Sequence, residues 1–263
     1  MNKAKKTLIA LLVGITTLAP KAVKAMGPLE FSLGYGMQFN SQSPAKDYID
    51  NVNNDFRTGK YTFTTPVPQF KNISVSNPNE FPLEGTIFYK LGKKIKLGVS
   101  VAVSNSKIES NYNETTPTQS NTMHNFDRKE NIDIKSNSKG IKLKADLAKW
   151  LAVSLSGKQD NYDISGNVNY TMHNDKFNYT QNRTAEYNGT GTGSTIEAGI
   201  ELSKTKNVSI GIFAGQKSGK VQTKGEQVIT SNSWPAGTKY TYDYSPEFNF
   251  NSTYGKIEAK VKF

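Results

Sequence analysis

Cysteine is absent from the 263 residues, so an exported chain of this composition cannot rely on disulfides for its stability. Histidine is nearly absent as well. The only two, His124 and His173, lie in two copies of one tetrapeptide, TMHN, at 122–125 and 171–174. G-x-S-x-G, H-E-x-x-H and spaced carboxylate pairs are all missing, and the glycine-rich GTGTGSTIEAG at 189–199 lacks the lysine of a phosphate loop. No enzyme and no cofactor is expected. After residue 25 no stretch of 18 or more apolar residues occurs, which excludes a membrane-crossing helix.

The one long apolar run stands at the start. A basic segment (Lys3, Lys5, Lys6) precedes an apolar stretch from Leu8 to Leu18, and Val23 and Ala25 sit at the −3 and −1 positions of a cleavage site. That order of features reads as a secretory signal peptide over 1–25, with a single mature domain over 26–263. Loss of 1–25 removes five lysines and no acids, taking the net charge from +11 to +6, too modest to argue for nucleic acid.

The mature chain is built on period two. In LEFSLGYGMQF, Leu29, Phe31, Leu33, Tyr35, Met37 and Phe39 share a face. Three units follow in which two alternating segments flank a short break. They are 81–91 with 95–103 around GKK, 141–147 with 151–157 around Ala148-Lys149-Trp150, and 195–202 with 208–215 around SKTKN. The closing KIEAKVKF is the eighth such segment. Each reads as a strand, and the units read as hairpins.

The connections alternate in length. Those inside the hairpins take three to five residues, whereas 41–79, 105–138, 158–193 and 217–252 are long. Short turns at one end and long loops at the other are expected of an outer-membrane barrel, with strands of about nine to eleven residues crossing the bilayer at a tilt. Backbone groups in lipid must all be paired, so the last strand is expected to pair with the first. The fold expected is all-β, an eight-stranded antiparallel up-and-down transmembrane β-barrel. Ten strands remain an alternative if part of 60–75 inserts as a further hairpin.

The second face of these strands is ionic. With the apolar face outward, the interior would hold Glu30, Glu84, Glu197, Glu201 and Glu258 together with Lys96, Lys142, Lys144, Lys256 and Lys260. An eight-stranded interior is just wide enough for side chains, so these groups are expected to pair into a closed plug.

With its signal peptide, three short-turn hairpins and final YGKIEAKVKF, the chain resembles the small eight-stranded outer-membrane proteins of Gram-negative bacteria, the OmpA transmembrane domain, OmpX, Ail and opacity-protein class. The resemblance implies location in the outer membrane, contact with its lipid and lipopolysaccharide, and a function in the extracellular loops. It also implies that Ile257, Ala259, Val261 and Phe263 present the signal read by the barrel-assembly machinery. The expected role is surface adhesion or interaction with a host or cell-surface ligand, or envelope integrity, by a monomer. A small porin-like channel is the alternative, and a lipid-modifying enzyme a second.

The long connections hold two further features. Tyr162, Ile164, Val168, Tyr170 and Met172 keep period two toward the second TMHN copy, so the hairpin around Trp150 is expected to extend beyond the membrane as a protruding sheet. In such a continuous hairpin the two copies would nearly face each other, and Met123, His124, Met172 and His173 could make a Met/His site for copper or a similar metal. Chance repetition in polar loops explains them more economically. The same connections carry aromatics set among Asn, Thr, Ser and Gly: Tyr61, Phe63, Phe70, Tyr112, Phe177, Tyr179, Trp234, Tyr240, Tyr242, Tyr244, Phe248 and Phe250. Such mixtures suit binding surfaces. The run TKYTYDYSPEFNF fits strand extension or an aromatic girdle better.

Overall fold

The computed structural model describes residues 29–41, 74–75, 80–117, 123–174, 178–232 and 239–263. The segment 1–25 and Tyr61, Phe63, Phe70, Phe177 and Trp234 fall outside them. The regular structure of the described residues is entirely β: β1 Leu29–Asn40, β2 Ser74–Val75, β3 Leu83–Lys90, β4 Ile95–Pro117, β5 Met123–Ala148, β6 Leu151–Asn174, β7 Tyr179–Ser203, β8 Val208–Gln222, β9 Lys224–Ser231, β10 Lys239–Asp243, β11 Glu247–Asn249 and β12 Ser252–Lys262.

Eight of these strands close into an antiparallel ring, β1-β3-β4-β5-β6-β7-β8-β12, with β12 returning to β1. Because β1 pairs directly with β3, from Leu29↔Tyr89 to Tyr35↔Leu83, no further strand fits between them, and the ten-strand alternative falls. Outside the ring, β2 pairs with β4. The outward positions carry the apolar belt: Ile95, Leu97, Val99, Val101 and Val103 on β4, with Ile210, Ile212 and Ile257 across the barrel, are all exposed. A sheet cannot leave such a face bare in water, and its closed ladder leaves no unpaired edge for lipid. This is a transmembrane β-barrel.

The segments expected as long loops at 105–138 and 158–193 are largely strand. β4 and β5 stay in one register from Ile95↔Ala145 to Pro117↔Met123, and β6 and β7 from Leu151↔Leu202 to Asn174↔Tyr179. These four strands run 23 to 26 residues, more than twice the length a bilayer needs. They rise as a wall beyond the belt, while β1 and β3 stop after 12 and 8 residues.

The last third of the chain completes the wall by a broken hairpin. β8 and β9 share one register against β7, as Thr192↔Lys220 and Asn188↔Lys224 show. β10, β11 and β12 likewise share one register against them, through Lys239↔Thr230, Glu247↔Gln222 and Ser252↔Lys217. Backbone bonds bridge the gaps: Thr223 N–H donates to the Pro246 carbonyl at 3.1 Å, Tyr244 to Gly225 at 2.9 Å and Phe250 to Gly219 at 2.9 Å. The segment expected as the loop 217–252 is therefore one interrupted extension of the barrel's final hairpin.

Candidate functional site: the ionic bore and the core above it

Strand alternation sends every second side chain inward, and the bore they fill is a continuous ion-pair network. Glu84 is the hub. It accepts from Lys142 at 2.9 Å and Lys158 at 2.5 Å, with the Lys256 ammonium 3.5 Å away. Lys256 also reaches Glu197 at 2.8 Å and Glu258 at 3.0 Å. Nearer the short turns, Glu201 takes Lys144 at 2.6 Å and Lys260 at 2.7 Å. At that mouth Lys96 binds Glu30 at 2.7 Å and Asp146 at 2.9 Å. All ten ionic residues named from the sequence thus lie in the bore, nine of them buried and Glu30 half-buried at the mouth.

Several bore residues escape the sequence pattern. Lys158 and Asp160 on β6, Lys217 on β8 and Glu80 before β3 all point inward, and Lys217 pairs with Glu80 at 2.7 Å. Each lies just past a segment end drawn where the outward apolar residues stop. Their even or odd phase with the inward positions before them was the usable signal. Phe213 is the other addition. Its ring sits 4.4, 4.5 and 4.9 Å from the ammonium groups of Lys260, Lys256 and Lys142, a cation–π centre that three ion-paired lysines share. Gly199 and Gly211 make room for it, since a Cβ at either would collide with the ring.

Lone buried charges are costly, and buried pairs repay their desolvation only when hydrogen-bonded on several sides. Glu84 meets that condition through Lys142 and Lys158, and the Tyr254 hydroxyl donates to Glu197 at 2.9 Å, whereas Glu258 is held by the charges of Lys256 and Lys260 without a hydrogen bond. Beside them Thr195 donates to Asp160 at 2.5 Å. The cavity left among Glu80, Glu84, Asp160, Glu197, Lys217 and Lys256 is about 30 Å³, room for roughly two waters.

Above the belt the interior changes character. Ile108, Ile132, Ile134, Tyr162, Ile164, Val168, Ala185 and Tyr187 line the inner face of the wall, and Val221, Phe248 and Phe250 fold over them into one buried cluster. Phe250 stacks on Tyr162 at 3.9 Å, and Phe248 on Tyr187 at 5.9 Å. A carboxylate is embedded here. Buried Glu130 accepts from Arg128 at 2.7 Å and from the Tyr187 hydroxyl at 2.8 Å. Burial first, and then the Glu130 carboxylate, push the Tyr187 phenol far above its ordinary range, so it stays a donor.

The aromatics named from the sequence divide accordingly. Phe248 and Phe250 are core, and Tyr244 packs against that core. Tyr240 and Tyr242 are exposed on β10, which extends the sheet beside β9. Tyr179 is half-buried at the start of β7, and Tyr112 lies on β4.

The Met/His quartet does not converge. In the β5–β6 ladder His173 faces Asn125 and His124 faces Asn174, so a one-residue offset puts the two histidine positions on opposite faces of the sheet. Met172 is buried inside, His173 Nδ1 lies 2.8 Å from Thr180 Oγ1, and Met123 pairs with Pro117 at the end of the β4–β5 ladder. Among the described residues no group of three or more His, Cys, Asp or Glu is arranged to hold a metal ion.

The C-terminal residues close the seam. Ile257, Ala259 and Val261 face outward, and the Phe263 ring lies 5.9 Å from Phe31 while its N–H donates to the Phe31 carbonyl at 2.9 Å.

No protein-family model matches the chain, and no curated protein matches it in sequence. Among solved structures it is similar to a major outer membrane protein from Thermus thermophilus, at 13% identity and a TM-score of 0.41 over 89% of this chain and 99% of that one. It is similar also to OprG from Pseudomonas aeruginosa, at 10% and 0.36 over 89% and 95%. Ail, the attachment invasion locus protein of Yersinia pestis, follows at 11% and 0.34 over 89% and 97%. At these identities the likeness reaches no further than the fold.

Proposed function

We propose that this chain is an integral outer-membrane protein of a Gram-negative bacterium that acts by surface interaction, as an adhesin or receptor-contacting protein, with its long-strand end extracellular and its short turns periplasmic. It works as a monomer without cofactor or catalysis, after removal of residues 1–25 and insertion by the barrel-assembly machinery. One observation carries the reading: the wall formed by β4–β7 continues far beyond the belt and has a buried core of its own. A core outside the bilayer holds a shape in water, as a contact surface needs. Exposed Tyr240 and Tyr242 on that wall offer large, rigid contact area at low entropic cost.

The test is display of the chain on a non-adherent laboratory bacterium. Adherence to epithelial cells or matrix should rise and should fall several-fold with Tyr240→Ser/Tyr242→Ser. Equal adherence with and without the chain would overturn the surface-interaction role. The paired charges of the bore support a closed barrel, so planar bilayers should show no stable openings. Reproducible unit conductance would favour a channel instead.

A further inference from the structure

The short-turn end of the barrel is a cationic basin. All three tight turns bring lysines to it: Lys93 and Lys94 between β3 and β4, Lys149 between β5 and β6, and Lys204 and Lys206 between β7 and β8. Lys262 from the final strand joins them, its ammonium 3.1 Å from Ser203 Oγ. Together they line an open hollow of about 860 Å³. Among the described residues that line it the only carboxylates are Glu30 and Asp146, and both are engaged by Lys96. Among the described residues none of the other six lysines has a carboxylate partner. Six like charges converging on one hollow repel one another, and their side chains are not needed to close the bore.

The hollow is also bordered by apolar groups. Leu147 and Trp150 line it and are 55% and 59% exposed, at the lower edge of the belt. Tryptophan and lysine together mark the level where headgroups meet acyl chains. A free anion would use the lysines and leave Leu147 and Trp150 bare. An amphiphile with an anionic head would use both.

We propose that this basin is a binding site for an anionic phospholipid of the inner leaflet, its phosphate among the turn lysines and its chains against Leu147 and Trp150. The site rests on the orientation proposed above, which sets the short turns in the phospholipid leaflet. Each lysine near an anionic lipid surface strengthens binding about fivefold, and that attraction is screened by salt.

The test uses the full chain folded in zwitterionic detergent, with heat-modifiable gel mobility as the check of folding. Short-chain phosphatidylglycerol, phosphatidylcholine of equal chain length and inorganic phosphate are titrated separately, with native mass spectrometry counting bound molecules. Phosphatidylglycerol should bind at least about tenfold tighter than either other probe and weaken as salt is raised. Lys93→Gln/Lys149→Gln/Lys204→Gln should weaken it on the order of a hundredfold. The control Lys107→Gln/Lys129→Gln/Lys135→Gln, on the outer wall, should leave it unchanged. Equal binding of the two lipids, full competition by inorganic phosphate, or an unaffected turn-lysine variant would each overturn the site while leaving the barrel standing. A chain that never shows heat-modifiable mobility would overturn the membrane reading, and the site with it.

Discussion

One barrel holds two interiors built on opposite principles. Within the belt the outer face is apolar and the inner face ionic, held by Glu84, Glu197, Glu201 and their lysines. Above it the outer face is polar, with Asn105, Lys107 and Glu109 on β4, and the inner face is apolar, with Ile108, Ile132 and Ile164 fully buried. The strands pass between the two regimes without changing direction. What changes is the solvent. Hydrocarbon offers no reward for hiding an apolar side chain, so the bore is organised by charge, whereas water restores the hydrophobic effect and a conventional core returns.

That contrast can be broken at either level. The largest effect is expected at the hub of the bore. Glu84→Gln leaves Lys142, Lys158 and Lys256 short of an anion and should cost about 3–5 kcal/mol in urea unfolding from lipid vesicles. A cost below about 1 kcal/mol would mean that the pairs are incidental. Phe250→Ala opens a hole beneath Tyr162 and should cost about 3 kcal/mol, confined to the wall. Added protease should then clip the long-strand end while the SDS-resistant barrel survives; loss of both together would deny the wall an independent core.

The outer face sharpens the same division. Val99→Lys places a charge in the middle of the belt and should cost about 2 kcal/mol or more. Asn105→Lys, six residues along the same face, should change stability by no more than about 0.5 kcal/mol. Equal costs would move the boundary. A modest stability effect belongs to the seam: Phe263→Ala removes the Phe31 contact, worth about 0.5–1.5 kcal/mol. Its yield of assembled protein in the membrane should drop more visibly than its unfolding midpoint.

The belt was readable from the sequence because its signal is uniform. Odd positions from Ile95 to Val103 and Leu151 to Leu155 are apolar, and the residues between them fill a bore too narrow for unpaired charge. The wall was legible only on β6, where period two continues from Tyr162 to Met172, and its change of phase hid the rest. On β6 the apolar positions are odd up to Leu155 and even from Tyr162 to Met172, with no bulge between. Strand ends drawn where one phase stops leave Lys158 and Asp160 out of the bore and separate the protruding hairpin from the barrel strands it continues. Histidine placement failed for a finer reason: equal distances from the Trp150 turn bring two copies of TMHN near each other, but a one-residue offset decides the face. The cation–π centre had no sequence signal beyond one aromatic on the wrong face of VSIGIFAG, Phe213.

The swap of faces within unbroken strands has a mechanical consequence. It marks a waterline on the chain itself. Pushed deeper by two residues, the barrel would carry Asn105 on β4 into hydrocarbon, and by two more Gln159 on β6; raised by two, it would bare Val103 and Leu155 to water. Each displacement is opposed on every tall strand at once, so the depth at which the barrel floats is written residue by residue, independently of its loops and of any partner.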